Sequence, residues 1–474
     1  MPRYSIILIS NDFYKKGGVV HYMNNYDICI IGAGPCGLTL ALELSKKYKL
    51  CIIEAGREYR KRICPLDTQG ICKENCNPCN IITGFGGCQF IDGTKACFYP
   101  AGTGLFNFNS KDEVISNYNY IENLLVKYGK PVREQVNEEK KNKIINDFNK
   151  HNIEVKYYNA QKVDKDVMQT IGIRMREELI KNSVDFFYDE NVYSIEKNKD
   201  FTIFSTSKVI KAKKVVLATG RYGGLFLNKL SEKLKIEYEK NNFIGEIGVR
   251  IEMPYNIFNS IDNVFNDIKL KRKIDELNEM RSFCQNYKGI VRKCVFDTEN
   301  SKMSSLDGCI LGPDSNNTQS INIAIHHRKK DITEIEKFKN IIIKANKDGK
   351  PIAQNMDSFL NNTSNCNFDE KYCTMKDYVI DNANKYLPEE TLNYIKEMII
   401  DIDKVLPGFA DKNNIVYAPS FELGGDKYKL SKGFETNIEG LYIGGDACGF
   451  FRGLMQAMIS GKIISDDIIK KMEV

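Results

Sequence analysis

Several common features are scarce in this sequence. Only four histidines occur in 474 residues, so imidazole proton transfer has few places to reside. No apolar run approaches the ~20 residues that a membrane-spanning helix needs, and no membrane contact is expected. Neither sign of charge dominates, because 68 basic residues stand against 62 acidic ones for a formal net charge of +6. That balance gives no reason to expect a nucleic-acid partner. There is no internal repeat and no second GxGxxG. The first 25 residues lack the form of a secretory signal, since the apolar stretch 4–9 is short and polar residues 11–16 interrupt it. Residues 1–24 are expected to be an N-terminal appendage, with Met23 an alternative start.

Cysteine, by contrast, is plentiful at 15 residues. The thiols are scattered, and Cys29 and Cys51 fall in apparent core strands. That pattern reads as reduced thiols in a cytoplasmic protein rather than a disulfide scaffold. The length suggests two or three domains with ample core.

The most informative stretch is residues 26–56. An apolar run at 28–31 leads into Gly32-Ala33-Gly34-Pro35-Cys36-Gly37, then a helical pattern carries Leu38, Ala41 and Leu42 on one side. A second apolar run, 50–53, ends on Glu54 and Ala55. Strand, glycine turn, helix, strand and acid follow in the order a dinucleotide fold needs. Gly32 permits the turn, Gly34 keeps the backbone bare where a diphosphate approaches, and Gly37 lets helix and strand pack closely. The helix N-terminus turns free N–H groups and the positive end of its dipole toward phosphate. Glu54, 22 residues beyond Gly32, is placed to accept hydrogen bonds from ribose hydroxyls.

Residues 57–110 read as a loop-rich, cysteine-rich insert, and 111–150 as one strongly charged helical stretch. Residues 153–157 alternate like a strand, and 166–182 place Met168, Ile171, Met175 and Leu179 on one helix face. Short strands are expected at 184–187, 192–195 and 201–204, then a buried strand at 215–217 that ends in Ala218-Thr219-Gly220. From about 241 the pattern changes. Strands at 247–251 and 321–325 and helices at 332–347 and 389–405 suggest a second domain over 241–420, with an exposed Asn-rich loop at 314–320. The segment 421–474 returns to the first domain through an apolar strand at 441–443, Gly444-Gly445-Asp446, and a helix from Leu454. The first domain is therefore discontinuous, 25–240 plus 421–474.

Three separated strand ends now point to one ligand. The run Thr436 … Leu441-Tyr442-Ile443-Gly444-Gly445-Asp446 resembles the second FAD fingerprint of flavoproteins with a glutathione-reductase-like FAD domain. In those proteins the aspartate bonds the ribityl chain, and Ala218-Thr219-Gly220 is similar to their strand end beside the cofactor. The resemblance extends to a group of FAD-dependent dehydrogenases of largely uncharacterised activity. They carry a cysteine cluster after the first FAD motif, then a GGAG-type loop and a Ser-Asp-Gly-Lys element. Here Gly84-Phe85-Gly86-Gly87 leads to Asp92-Gly93, but Cys88 follows the glycine pair and Thr94 precedes Lys95. Gly220-Arg221, Gly248-Val249-Arg250 and Arg452-Gly453 are also similar. The resemblance runs from about residue 26 to the end. It implies FAD, a glutathione-reductase-type FAD/NAD(P)-binding α/β fold, and an inserted α+β second domain. It says nothing about the substrate.

Cys64, Cys72, Cys76 and Cys79 have the spacing x7, x3, x2. Four thiolates so spaced suit zinc or an iron–sulfur cluster; a redox-active thiol pair and a plain structural loop are the other readings. Acid–base candidates are few. His326 and His327 lie together at a strand end, Arg250 is a candidate for an anionic substrate, and Arg452 is placed to assist the last helix N-terminus against the flavin pyrimidine edge. Tyr417 is a further cavity candidate, with core packing the stronger reading.

The expected function is an FAD-dependent oxidoreductase, moving a hydride or electrons between flavin N5 and a small-molecule substrate. NAD(P)H or a protein would serve as electron donor. Two alternatives remain: an electron-transfer flavoprotein reduced through the cysteine cluster, and an FAD-bound RNA-modifying or regulatory protein.

Overall fold

The computed structural model describes residues 24–70, 72–73, 76–240, 246–262, 264–297, 302–310, 318–329, 340, 350–422 and 425–473. The expected appendage at 1–24 (all but Asn24), the helix at 332–347 apart from residue 340 and most of the Asn-rich loop lie outside these residues.

The first sheet has seven strands, in the order Asp185–Phe187, Leu50–Ile53, Asn24–Ile31, Val209–Leu217, Phe201–Ser205, Val192–Lys197; Leu441–Ile443 pairs the carboxyl half of Val209–Leu217. Its central part is parallel and its strands read as unbroken apolar runs because both faces are covered. On one side the helix Pro35–Leu44 packs against the last helix, Leu454–Met472. A Cβ at Gly461 would stand 2.4 Å from the Cys36 carbonyl oxygen, so glycine sets how closely these helices approach. The three short strands expected after residue 183 form as Asp185–Phe187, which extends the parallel edge, and an antiparallel meander that returns the chain to the centre.

Register explains why this sheet makes a site. Ile31 lies beside both Ile53 and Leu217, and Leu217 lies beside Ile443. Four strands therefore finish level. Backbone bonds cross the shared edge: Gly32 N–H donates to Ile53 at 2.8 Å, Ala218 N–H to Ile31 at 2.8 Å, and Gly444 N–H to Leu217 at 3.1 Å. The three glycine bends are held side by side by the sheet itself.

The second sheet has eight strands and is almost wholly antiparallel, with Glu246–Pro254 and Ser320–Lys329 at its centre. Ile247, Val249 and Ile251, with Ile321, Ile323 and Ile325, pack under the helix Glu389–Asp403 through Ile395, Met398 and Ile402. The alternate positions Glu246, Arg250, Glu252, Asn322 and His326 form the other face, and all are buried.

Two expectations change. The charged stretch 111–150 is two helices, Lys111–Lys127 and Glu138–Asn149. Gly129, at φ 118°, and Pro131, which lacks an N–H, break the run. The second helix and the strand Glu154–Lys156 then join the second sheet instead of the first domain. Ile144, Phe148, Ile153 and Val155 supply the apolar contact that carries them there. The second core thus begins well before residue 241.

Among the described residues, no helix is long and apolar enough to cross a membrane.

Candidate functional site

A cavity of about 670 Å³ opens at the level strand ends. Gly32, Gly34, Pro35, Glu54, Ala55, Ala218, Thr219, Gly220, Gly445, Asp446 and Gly453 all line it, together with Gly87. Gly37 and Gly86 stand behind this wall. A Cβ at Gly37 would meet the Gly32 carbonyl oxygen at 2.1 Å, and Gly86 N–H donates to Ala33 at 2.8 Å. Gly32 itself has φ 113°, and a Cβ there would lie 2.3 Å from the Ala218 carbonyl oxygen. Gly34 differs: a Cβ there would meet nothing within 4 Å. It points into open cavity, as a bare approach to a ligand requires.

Two helices begin at this cavity. Pro35–Leu44 starts after Gly34 and Leu454–Met472 after Gly453, and neither has a side-chain cap. Their first-turn N–H groups and positive dipole ends are directed at the same space.

Glu54 is more constrained than its spacing suggested. Its carboxylate accepts N–H bonds from Ala33 at 2.8 Å, Gly56 at 2.9 Å and Gly84 at 3.0 Å. It ties the glycine turn to the cysteine-rich loop and still lines the cavity. Asp446 accepts a bond from the Gly453 amide; burial raises its pKa, and the charges of Arg221 and Arg452 oppose that rise.

The cysteine-rich segment is organised by a residue that left no sequence signal. Arg62, buried, donates to the carbonyls of Asn80 at 2.9 Å, Ile81 at 2.8 Å, Phe85 at 2.6 Å and Gly87 at 2.6 Å. Its partners are all backbone, so nothing in their side chains advertises the contact. Cys79 reaches the cavity, as does Cys88. Cys64 instead precedes the short helix Pro65–Gln69, at its N-cap position. Among the described residues no group of three or more His, Cys, Asp or Glu side chains is gathered to hold a metal. Cys79 lies on the cavity wall and Cys64 at a helix start, so the described structure puts these two thiols in different surroundings.

The acid–base candidates are placed away from the cavity wall. His327 bonds Thr391 and Asn278, each at 2.9 Å, and burial pushes its pKa down to about 4. It fastens helix to sheet. His326 lies 2.9 Å from the Ser420 hydroxyl and 3.6 Å from Glu246, and its ring stacks on Phe283. Burial lowers its pKa against the pull of Glu246. Arg250 donates to Asn322 at 2.7 Å and to the Cys284 carbonyl at 3.2 Å. Tyr417 is fully buried and donates to Glu252 at 2.7 Å. Arg452 does come to the site, pairing with Glu422 at 2.9 Å. Glu422 also binds Arg221, which lines the cavity. Glu422 was missed because it ends a buried strand, Ile415–Glu422, with no motif around it.

Residues 26–220 match the family model described as pyridine nucleotide-disulphide oxidoreductase. No curated protein matches the chain. Among solved structures, a glycine oxidase from Geobacillus kaustophilus is 10% identical, with 95% of each chain covered and a TM-score of 0.41. The halogenase PltM in complex with phloroglucinol and FAD is 12% identical, with 94% of this chain and 70% of that one covered and a TM-score of 0.41. A flavoprotein/dehydrogenase from Cytophaga hutchinsonii is 11% identical, with 95% and 79% covered and a TM-score of 0.40. Overlap at this level is loose.

Proposed function

We propose that this chain is an FAD-dependent oxidoreductase acting on a small molecule. The observation that carries the reading is the meeting of Gly32–Gly34, Ala218–Gly220 and Gly445–Asp446 in one cavity. A nicotinamide dinucleotide would need only the first of these units. The third, with a second uncapped helix behind it, extends the cradle for a longer ligand.

FAD fits the residues present. The turn from Gly32 to Gly37 and its helix N-terminus would hold the diphosphate, and the bare Gly34 leaves room for it. Glu54 retains acceptor capacity for a ribose hydroxyl beyond its three backbone bonds. Asp446 would take the ribityl hydroxyls, and the N-terminus after Gly453 would favour negative charge at the ring. FAD, when bound, supplies a reversible acceptor of a hydride or of single electrons. The protein's part is to orient the substrate and to exclude water. Val295, from the hairpin Ile290–Asp297/Lys302–Cys309, closes one side of the cavity, and Glu422 of the second sheet holds Arg221 on its wall.

NADH, NADPH or a small redox protein is the electron donor in this reading. Cys79 and Cys88 on the cavity wall keep open a second route, in which thiols pass electrons to the cofactor. Stopped-flow reduction of the FAD-loaded protein by NADH, NADPH and a ferredoxin-like donor tests the assignment. Bleaching of the flavin by any of them, at a rate unchanged by Cys79→Ser and Cys88→Ser, supports direct reduction. Dependence on those thiols supports the second route, and no bleaching by any donor contradicts both.

A further inference from the structure

Three elements meet at one edge of the cavity: Arg221 follows the Ala218-Thr219-Gly220 strand end, Arg452 precedes the last helix, and Glu422 ends a strand of the second sheet. Both guanidinium groups bind the same carboxylate oxygen, Glu422 Oε2, with Arg452 at 2.9 Å. Two cations thus draw on one anionic oxygen in a partly enclosed place. The geometry is wasteful as an internal ion pair. A guanidinium presents a planar fork that matches both oxygens of a carboxylate, yet here two forks converge on one oxygen. Arg221 Nε is buried without a hydrogen-bond partner. Burial, and next the like charge of Arg221, push the Arg452 pKa down to about 10. An added anion would relieve that repulsion.

The neighbouring carboxylates Glu246 and Asp446 reach Arg452 through their charge, but their bonds are made elsewhere. Glu246, the cross-strand partner of Glu422, is already taken by Arg281 at 2.9 Å and by Arg328 at 3.8 Å. Asp446 lies within the field of both Arg221 and Arg452 but is bonded to the Gly453 amide and reserved, in the reading above, for the ribityl chain.

We propose that Arg221 and Arg452 form an anion clamp at the rim of the cavity, that Glu422 occupies it in the absence of substrate, and that the substrate is a small organic acid. Its carboxylate displaces Glu422 and is gripped by both arginines, which fixes the remainder of the molecule against the cofactor. This rests on the FAD reading, and it names the substrate class.

The test uses the FAD-loaded protein at fixed ionic strength, titrated with benzoate and with succinate while the flavin absorbance is recorded; chloride is the control. A saturable spectral shift with either acid and none with chloride is expected. Arg452→Met should weaken that binding about tenfold or more, the loss of a charge-assisted bond. Glu422→Gln should tighten it severalfold, because the internal competitor loses its charge. A purely structural Glu422 would leave binding unchanged or weaken it, and either result overturns the proposal. So does the absence of any shift with both acids. If Arg452→Met sheds its flavin, Glu422→Gln alone decides. A wild-type chain that takes up no FAD fails earlier and refutes the FAD reading instead.

Discussion

The two sheets build polar surfaces in opposite ways. At the edge of the parallel sheet the groups offered to a ligand belong mostly to the backbone: glycine bends, uncapped helix starts, and a glutamate already tied down by three amides. On the buried polar face of the antiparallel sheet they are side chains that bond and pair with one another, although Arg250 Nε and Asn322 Nδ2 find no hydrogen-bond partner among the described residues. A backbone site must remain unfilled to work, so substitution at its open position, Gly34, should remove the ligand and spare the fold, whereas Gly32 and Gly37 are also packed against backbone. A side-chain network is filled from within, so substitution there should cost stability and spare the ligand.

The sharpest break of this comparison is Gly34→Val. A side chain there enters cavity and touches no protein atom within 4 Å of the Cβ position, so flavin retention should vanish while the thermal midpoint of the apoprotein stays near that of the wild type. Absorbance spectra and thermal denaturation check both halves. A folded variant with full flavin, or a variant that fails to fold, would end the distinction.

Next in size is Glu246→Gln. Glu246 is buried among Arg281, His326 and Arg328, which together hold its pKa down to about 2 despite burial. Arg281 and Arg328 are only partly buried and Arg328 also faces Glu279, so losing the carboxylate charge should cost about 1.5–3 kcal/mol. Urea titration should show that loss, with flavin stoichiometry unchanged under native conditions. The wild-type contribution is present above the ordinary carboxyl value of 4.5 and disappears as pH falls toward 2.

Glu252, on the same strand and the same face, should behave with the opposite sign. It is fully buried, it accepts bonds from Thr374 and Tyr417, and burial raises its pKa from 4.5 to about 7. The folded state therefore holds an extra proton between those values, and stability falls as pH rises from 4.5 through 7 by roughly 3 kcal/mol at most. Glu252→Gln should flatten that slope in denaturation curves taken from about pH 5 to 8. An unchanged slope would mean that Glu252 is charged in the folded protein.

The smallest effect belongs to His327→Gln. With both ring nitrogens bonded and the pKa near 4, this residue is neutral at physiological pH. Its replacement should cost about 1–2 kcal/mol and leave the pH dependence of any turnover untouched. A changed pH–rate profile would return it to the chemistry.

The same contrast explains what the sequence disclosed. Gly32, Gly34, Gly37 and Glu54 are legible because a backbone site needs particular residues at fixed local spacing. The second sheet carries no such constraint. Glu246, His326 and Ser420 meet only through strand pairing, so their juxtaposition was invisible, and His326 was noticed only for its residue type. Arg62 was hidden because carbonyl partners have no identity. The early start of the second core was hidden because Ile144, Phe148, Ile153 and Val155 would suit either sheet. The cysteine spacing is legible as a local pattern, and among the described residues no group of three or more metal-ligating side chains is gathered.

The central claim is that three distant bends enclose one FAD. Its most direct test is the flavin content of the gently purified chain, with added FAD if needed, set beside Gly34→Val. The account predicts one FAD per wild-type chain and none in a folded Gly34→Val. A wild-type protein that stays colourless in excess FAD, or a variant that binds it equally well, would contradict it.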